Sequence, residues 1–222
     1  MKTTTIDYLL STLAIALLLF TALALPVALH PRLAAVVGAH HVLLEVGLFF
    51  VGYGLASALM TRLLLHWRPL PTGTHEENSP EFTYWKFLTV IYRLGYGALC
   101  PFVPVFLKPL LESLFGASVG RDVALGGSID DPYAVSIGDG TVLGNASLVT
   151  ANFLAGGKLV CGTVRIGARV TVGANAIVYP DTEIGDGATL TVASVLMPGA
   201  RIPAGETWRG NPARKWAGPV NV

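Results

Sequence analysis

Charge is scarce in this chain. Only 13% of its 222 residues are Asp, Glu, Lys or Arg, about half the share of a typical soluble domain. The formal net charge is +1 and no basic run occurs, which excludes a nucleic-acid surface. Cysteine is nearly absent. Cys100 and Cys161 lie far apart in unlike segments, so neither a disulfide framework nor a CxxC metal site can be built from them. The five histidines all fall before residue 76, and the last third of the chain therefore offers no imidazole base or ligand.

What is present in excess is apolar surface, 52% of the residues, concentrated at the front. Tyr8 to Leu29 is 22 residues without a charge. As a helix it rises ~33 Å, the thickness of a bilayer core. A signal peptide would have a shorter apolar run, about 7–15 residues, and a small-x-small cleavage site after it. A second apolar stretch, Val42 to Thr61, is interrupted only by Glu45. Within it Gly54 and Ala58 form a small-xxx-small pair, which lets helix backbones approach closely in lipid. The "HPR" at residues 30–32 is expected to break the chain between the two, giving a transmembrane helical hairpin over residues 1–67. His41 and Glu45, four apart, share one helix face. They form either an intramembrane functional pair or an interfacial pair near a helix end. Lys2, Arg62 and Arg68 flank one side and Arg32 alone marks the turn. The positive-inside bias then sets both hairpin ends, and all that follows, in the cytoplasm.

Residues 68–116 are expected to be linker and interfacial helices. "RPLPTGTHEENSPEF" (68–82) reads as a polar connector. His75, Glu76 and Glu77 within it suit a solvated linker better than a metal cluster. Trp85 to Leu111 is aromatic and apolar but carries Lys86, Arg93, Pro101, Pro104, Lys108 and Pro109. That is too broken for a clean span, and it suits helices at headgroup level.

The last hundred residues keep a different beat. Taken in sixes from Ile166 they read IGARVT, VGANAI, VYPDTE, IGDGAT, LTVASV, LMPGAR, IPAGET and WRGNPA. Seven leading positions are aliphatic and the eighth is Trp208, which suits a cap on the column. The fifth positions are nearly all small. Upstream the frame continues at 119, 125, 137 and 143, while the slot at 131, DPYAVS, fails. Neither a helix nor a simple strand repeats at six. A three-sided prism with one flat side per hexad does. Its leading aliphatics point inward, glycine serves the corners through positive φ, and eighteen residues complete a coil stacked in parallel on the next. A mainly β solenoid is expected over residues 117–222, with its C-terminal cap.

The motif [LIV]-G-x-x-[STAV]-x resembles the hexapeptide-repeat acyltransferases, whose fold is a left-handed parallel β-helix. "DPYAVSIGDGTVLGNASLVT" (131–150) and "WRGNPARKW" (208–216) resemble that family's first full coils and its exit sequence. "LKPLLESLFGASVGRDVAL" (107–125) resembles the segment leading into the repeat in membrane-associated members. These include acyltransferase-like ends of nonribosomal peptide synthetases such as polylysine synthase.

The beat is interrupted once. Val149 to Ile166 is 17 residues where one hexad needs six, so eleven, around Ala155 to Arg165, must leave the prism. The resemblance implies that such a loop reaches a neighbouring subunit of a homotrimer, with acyl-CoA in the cleft between two prisms. It also implies a histidine near the loop root acting as general base. Asn152 stands there instead. Asn accepts no proton at neutral pH and can only orient a group or donate to an oxyanion. Asp130 and Asp131, in the failed hexad, are the substitute candidates, unless they only shape a turn with Pro132. For the cofactor the resemblance implies backbone at Ala193 and Ser194 and the basic pair Arg214 and Lys215, unless that pair is only a solvated C-terminal charge pair. No metal is expected, because the carbonic-anhydrase branch of this fold needs three histidines around zinc.

The expected activity is transfer of an acyl group, acetyl by resemblance, from acyl-CoA to a hydroxyl or amine. The acceptor is small, a glycan or carrier-bound. The enzyme would work as a multi-pass protein at the cytoplasmic face of the inner or plasma membrane, with the lipid bilayer as its partner. Two other functions remain open: a catalytically degenerate scaffold subunit of a membrane complex, and amide formation on a carrier-bound aminoacyl thioester.

Overall fold

A computed structural model describes residues 3–218. Lys2, used above for orientation, lies outside the described residues. The chain divides into two compact units. One holds residues 1–70 and 78–103, the other residues 71–77 and 104–222.

The first unit is helical. α1 spans Thr5–Val37, α2 His41–Trp67 and α3 Pro80–Leu99. Thr4 starts α1 through a reciprocal capping box with Asp7. α1 and α2 lie antiparallel: His30 meets Glu45, and Gly52 lies against the backbone of Ala22. The break is not at "HPR". α1 runs through Pro26 and Pro31 and stops at Gly38, whose φ of 62° ends the helix. Each proline removes one backbone hydrogen bond from an otherwise continuous ladder. Gly38 turns the chain through a positive φ that glycine adopts without a Cβ clash. A 3-10 turn, Gly38–His40, then leads into α2.

α3 completes a three-helix packing. Ala14, Leu18 and Ala22 of α1 meet Tyr53 of α2 and Ile91 and Ala98 of α3. Gly54 is needed there, since a Cβ on it would fall 2.2 Å from Leu99 Cγ. Ser57 donates from Oγ to the Ile91 carbonyl at 2.7 Å. Lys86 donates from Nζ to Asp7, and both side chains are 9% exposed. The charge that seemed to break the segment at Lys86 is thus neutralised inside the unit. α3 stays continuous to Leu99, where Cys100–Phe102 takes over as a 3-10 turn containing Pro101. The outward faces remain apolar: Leu13 is 66% and Phe20 75% exposed. Thr5–Trp67 is long and apolar enough to cross a membrane, and 22% of its most apolar window is buried.

The second unit is a parallel β-solenoid. Short α4, Lys108–Leu114, leads into it. Three parallel sheets form the sides. One side holds strands Ser118–Val119, Val135–Ile137, Val164–Ile166, Thr182–Ile184 and Arg201–Ile202. The next holds Ala124–Leu125, Val142–Leu143, Thr171–Val172, Thr189–Leu190 and Thr207–Arg209. The third holds Ser128–Asp130, Leu148–Thr150, Ile177–Val178 and Val195–Leu196. Ile166 pairs with Ile184, Val172 with Leu190 and Val178 with Leu196, eighteen residues on in each case. All six are buried, with exposures of 0–4%. Trp208 packs half-buried against the end of this column.

The corners work differently from expectation. The glycines after the leading aliphatics do not supply positive φ. That conformation falls at the fourth hexad position, at Arg169, Asn175, Asp181, Gly187, Ala193, Gly199 and Gly205. Glycine is required at the second position by stacking. A Cβ on Gly173 would sit 2.4 Å from the Val192 backbone nitrogen of the next coil.

The failed slot at 131 has a physical cause. Ile129, not Asp131, fills the inward position and pairs with Val149, twenty residues on. The corner before it is shortened at Gly126 and Gly127, where any Cβ would meet backbone of the coil above within 2.9 Å. The residues saved there reappear after Asp130 as a bulge, the 3-10 turn Pro132–Ala134, entered through Asp131 at φ 56° and ψ 60°.

Candidate functional site

Ile137 pairs with Ile166, 29 residues on, where the later coils repeat at eighteen. The eleven extra residues leave as an antiparallel hairpin, Asn152–Ala155 with Lys158–Cys161. Gly156 and Gly157, both at positive φ, make its turn. Its neck is closed by Gly162 N donating to the Ala151 carbonyl at 2.8 Å. The excursion therefore starts three residues earlier than the spacing alone suggested, with Asn152 at its root.

A third strand, Gly73–Glu76, pairs with the hairpin, so Gly73, Cys161 and Asn152 form one row across the sheet. Residues read as connector are thus part of the excursion. His75 lies opposite Leu159, which is fully buried, and register puts it on the same sheet face as Asn152 and Cys161. Its Nε2 meets the Pro71 carbonyl at 2.9 Å. Glu76 pairs with Lys158 at 2.7 Å on the exposed rim.

Asn152 and Asp131 are brought together. Asn152 Nδ2 donates to Asp131 Oδ2 at 2.5 Å, and Asp131 is 4% exposed. Thr150 fixes the root from the other side. Its hydroxyl donates to the Asn152 carbonyl at 2.7 Å and accepts from the Asn152 backbone N–H at 3.3 Å. An amide has two N–H donors and one acceptor oxygen, so the side chain of Asn152 retains capacity to orient a second group. Asp130 reaches the root through its backbone, its carbonyl accepting from Ala151 N at 3.4 Å. It ends its strand in register with Thr150.

Cys161 is buried beside this pair. Burial first, then the negative charges of Asp131 and Asp181, push its thiol up to about 12. It stays protonated at neutral pH and is not a nucleophile, since the thiolate is the reactive form. One step along the same prism edge, Phe153 packs edge-on against Tyr179, ring centroids 5.7 Å apart. That Cys161 lies opposite Asn152, that Tyr179 meets Phe153 and that His75 joins their sheet was not legible in the sequence. No periodic signal links residue 75 to residue 159, and only the strand pairing does so.

The cofactor candidates lie further along. Val195–Leu196 stands two coils on from Leu148–Thr150 on the same side, ~10 Å at the usual strand spacing. Ala193, just before it, holds a corner at φ 55°. Ser194 is fully buried; its Oγ accepts from Gly210 N at 3.0 Å and meets Thr191 Oγ1 at 2.9 Å. Its visible role is to tie the exit segment to the last coil. Arg214–Lys215 pairs antiparallel with Thr207–Arg209. Arg214 donates to the Ala213 carbonyl at 3.0 Å, and Lys215 reaches Glu206 at 2.6 Å. Glu206 also accepts from Trp208 Nε1 at 2.9 Å. The Lys215 ammonium first, then the indole N–H, hold the Glu206 carboxyl below its usual range.

The class that the repeat defines is the hexapeptide-repeat β-solenoid, and the chain resembles the acyltransferases of that class. No family model matches it. It is 27% identical over 182 residues to delta-poly-L-ornithine synthetase of Acinetobacter baumannii, covering 76% of this chain and 13% of that protein. It is 31% identical over 83 residues to YvoF of Bacillus subtilis, named as an acetyltransferase, covering 37% of this chain and 47% of YvoF. Gamma carbonic anhydrase 1 of Arabidopsis thaliana is 35% identical over 117 residues, 45% of this chain and 41% of that protein. The chain therefore spans less than half the length of each of these relatives. Among solved structures, a hexapeptide-repeat-containing acetyltransferase of Vibrio cholerae is similar at 15% identity and a TM-score of 0.45, over 55% of this chain and 86% of that one.

Proposed function

We propose that this chain transfers an acyl group from acyl-CoA to a hydroxyl or amine acceptor at the cytoplasmic face of a membrane. The single observation that carries the reading is the eleven-residue excursion rooted at Asn152 and held against buried Asp131. A polar pair at the base of a loop thrown from a rigid scaffold is a usual place for chemistry. The likeness to YvoF supports acetyl as the group moved. In this reading the prism winds left-handed and three copies assemble, with the cofactor along the edge that carries Ala193 and Ser194 and toward Arg214 and Lys215. The apolar outer faces of α1 and α2 support a transmembrane hairpin, which would hold the solenoid near a lipid-linked or carrier-bound acceptor and raise its local concentration.

The residues present shape the chemistry. Asn152 orients the acceptor or donates to the thioester oxyanion; Asp131 fixes its amide. Asn152 takes no proton at neutral pH, and Asp131 is already engaged by the Asn152 amide. That favours an amine acceptor, which attacks once neutral, over a hydroxyl, which must lose its proton in the step.

Two observations support other readings. Asn152 in place of a base, already bonded to Asp131, supports a scaffold without turnover. The likeness to the polyornithine synthetase is longer than the solenoid unit, so it extends into the helices. It supports amide formation on an aminoacyl thioester. Titrating acetyl-CoA into the full chain in detergent separates them. A melting temperature that rises with ligand by mass action supports the transferase. No rise at millimolar ligand overturns it. Asn152→His is then expected to gain acetyl-CoA hydrolysis or transfer.

A further inference from the structure

The turn end of the helical hairpin carries a constellation that the acyl-transfer reading does not use. His30 comes from α1, and His41 and Glu45 from the first turns of α2. One ligand atom from each lies within 4.8 Å of the others. The rings of His30 and His41 meet edge-on, centroids 5.1 Å apart. His30 Nδ1 lies 2.8 Å from Glu45 Oε1. His41 and Glu45 share a face by their spacing, but His30, fifteen residues from Glu45, joins them only because α1 continues through Pro31 and folds back at Gly38.

We infer that His30, His41 and Glu45 form a binding site for a divalent transition metal of the zinc class, stapling α1 to α2. Two imidazoles and one carboxylate are a donor set that suits such ions and leaves a fourth position for water. The orientation of His41 supports this. Its Nδ1 lies 2.8 Å from the Gly38 carbonyl. That bond is made by Nδ1–H donating, so Nε2 carries the lone pair. A backbone carbonyl on the non-ligating nitrogen is the usual outer support of a metal-bound histidine. Glu45, with its side chain 20% exposed, needs a cation in a chain of such apolar surroundings: Val42, Val46, Phe49, Leu23, Pro26 and Val27 line the same hollow. Tetrahedral zinc with bonds of ~2.1 Å holds its ligands ~3.4 Å apart, so groups within 4.8 Å of one another need to close by ~1.4 Å at most. The expectation of no metal was drawn from the missing histidines of the repeat and does not reach this end of the molecule.

The test uses the full chain in detergent, without a polyhistidine tag, titrated with Co2+ as a spectroscopic stand-in and with Zn2+ by calorimetry. The expected result is one equivalent of Co2+ with a visible d–d band, displaced by Zn2+, and a higher melting temperature with metal. His30→Ala and His41→Ala each lose stoichiometric binding, Glu45→Gln weakens it, and His40→Ala, one residue from the site, leaves it intact. Wild-type protein that takes up no Co2+ or Zn2+ at equimolar concentration overturns the proposal. So does binding that the His30 and His41 variants retain, with monodispersity and far-ultraviolet circular dichroism confirming that they fold. Neither result bears on acetyl-CoA binding by the solenoid.

Discussion

The two units use the same apolar residues in opposite ways. In the solenoid each leading aliphatic turns into a closed column, and Val172, Val178, Leu190 and Leu196 are fully buried. In the helical unit small residues, Ala14, Ala22, Gly54 and Ala58, share the interior with a few large ones such as Leu18 and Ile91, while many large ones stay outward, such as Leu13, Phe20 and Leu43 at 74% exposure. A β-solenoid gains stability by removing apolar area from water. A helix bundle with an apolar exterior gains little that way and relies on close backbone approach and internal polar contacts such as Ser57 to the Ile91 carbonyl. Hydrophobicity alone therefore says nothing about where a side chain points; period does.

Substitution by size should separate the two regimes most sharply. Leu190→Ala empties part of the column and is expected to cost about 2–5 kcal/mol, read as a lowered urea midpoint of the solenoid transition. Leu13→Ala on the outward face of α1 is expected to stay within about 0.5 kcal/mol in detergent. Equal losses at the two sites would end the contrast. A smaller effect probes the stacking of coils. Gly173→Ala places a Cβ against backbone rather than a movable side chain, and overpacking of this kind costs roughly 1–3 kcal/mol. Gly47→Ala in α2 meets nothing and should leave the melting temperature unchanged or raised, since alanine favours helix over glycine.

Cys161 gives a pH signature confined to the solenoid. Its folded value is raised to about 12 from 9.0, so the unfolded chain releases this proton first. The contribution is full below pH 9 and is lost as pH rises toward 12, at up to ~1.4 kcal/mol per pH unit. Cys161→Ser should remove that slope, measured by denaturant unfolding across pH 8.5–11. Iodoacetamide at pH 8.5 should label exposed Cys100 and spare Cys161. The smallest expected effect is at Glu183, which Arg201 and then Arg165 hold below its usual range on an open face of the prism. Glu183→Gln should leave the melting temperature unchanged at moderate salt, because exposed ion pairs contribute little.

Much of this was legible before any coordinates. The strict six announced a three-sided coil, because no other common backbone returns to one face at that interval. The spacing from Val149 to Ile166 counted eleven ejected residues, because a rigid scaffold admits no partial coil. Asn152 was visible as the residue at the root, and Asp130 and Asp131 as candidate substitutes for the missing base; that Asn152 bonds Asp131 was not. Local rules served less well where several residues could end an element. Pro31 looked like the helix stop, and Gly38 was.

The sequence by itself determined the solenoid, its register from Ile137 onward, its single excursion and the apolar character of the hairpin, since each depends on short-range spacing or composition. The tertiary structure alone decided which distant groups meet. His75 joins the sheet that carries Asn152, His30 meets His41 and Glu45, and Lys86 neutralises Asp7. A strand edge or a helix face accepts a partner from anywhere in the chain, so nothing in the residues between them records the choice.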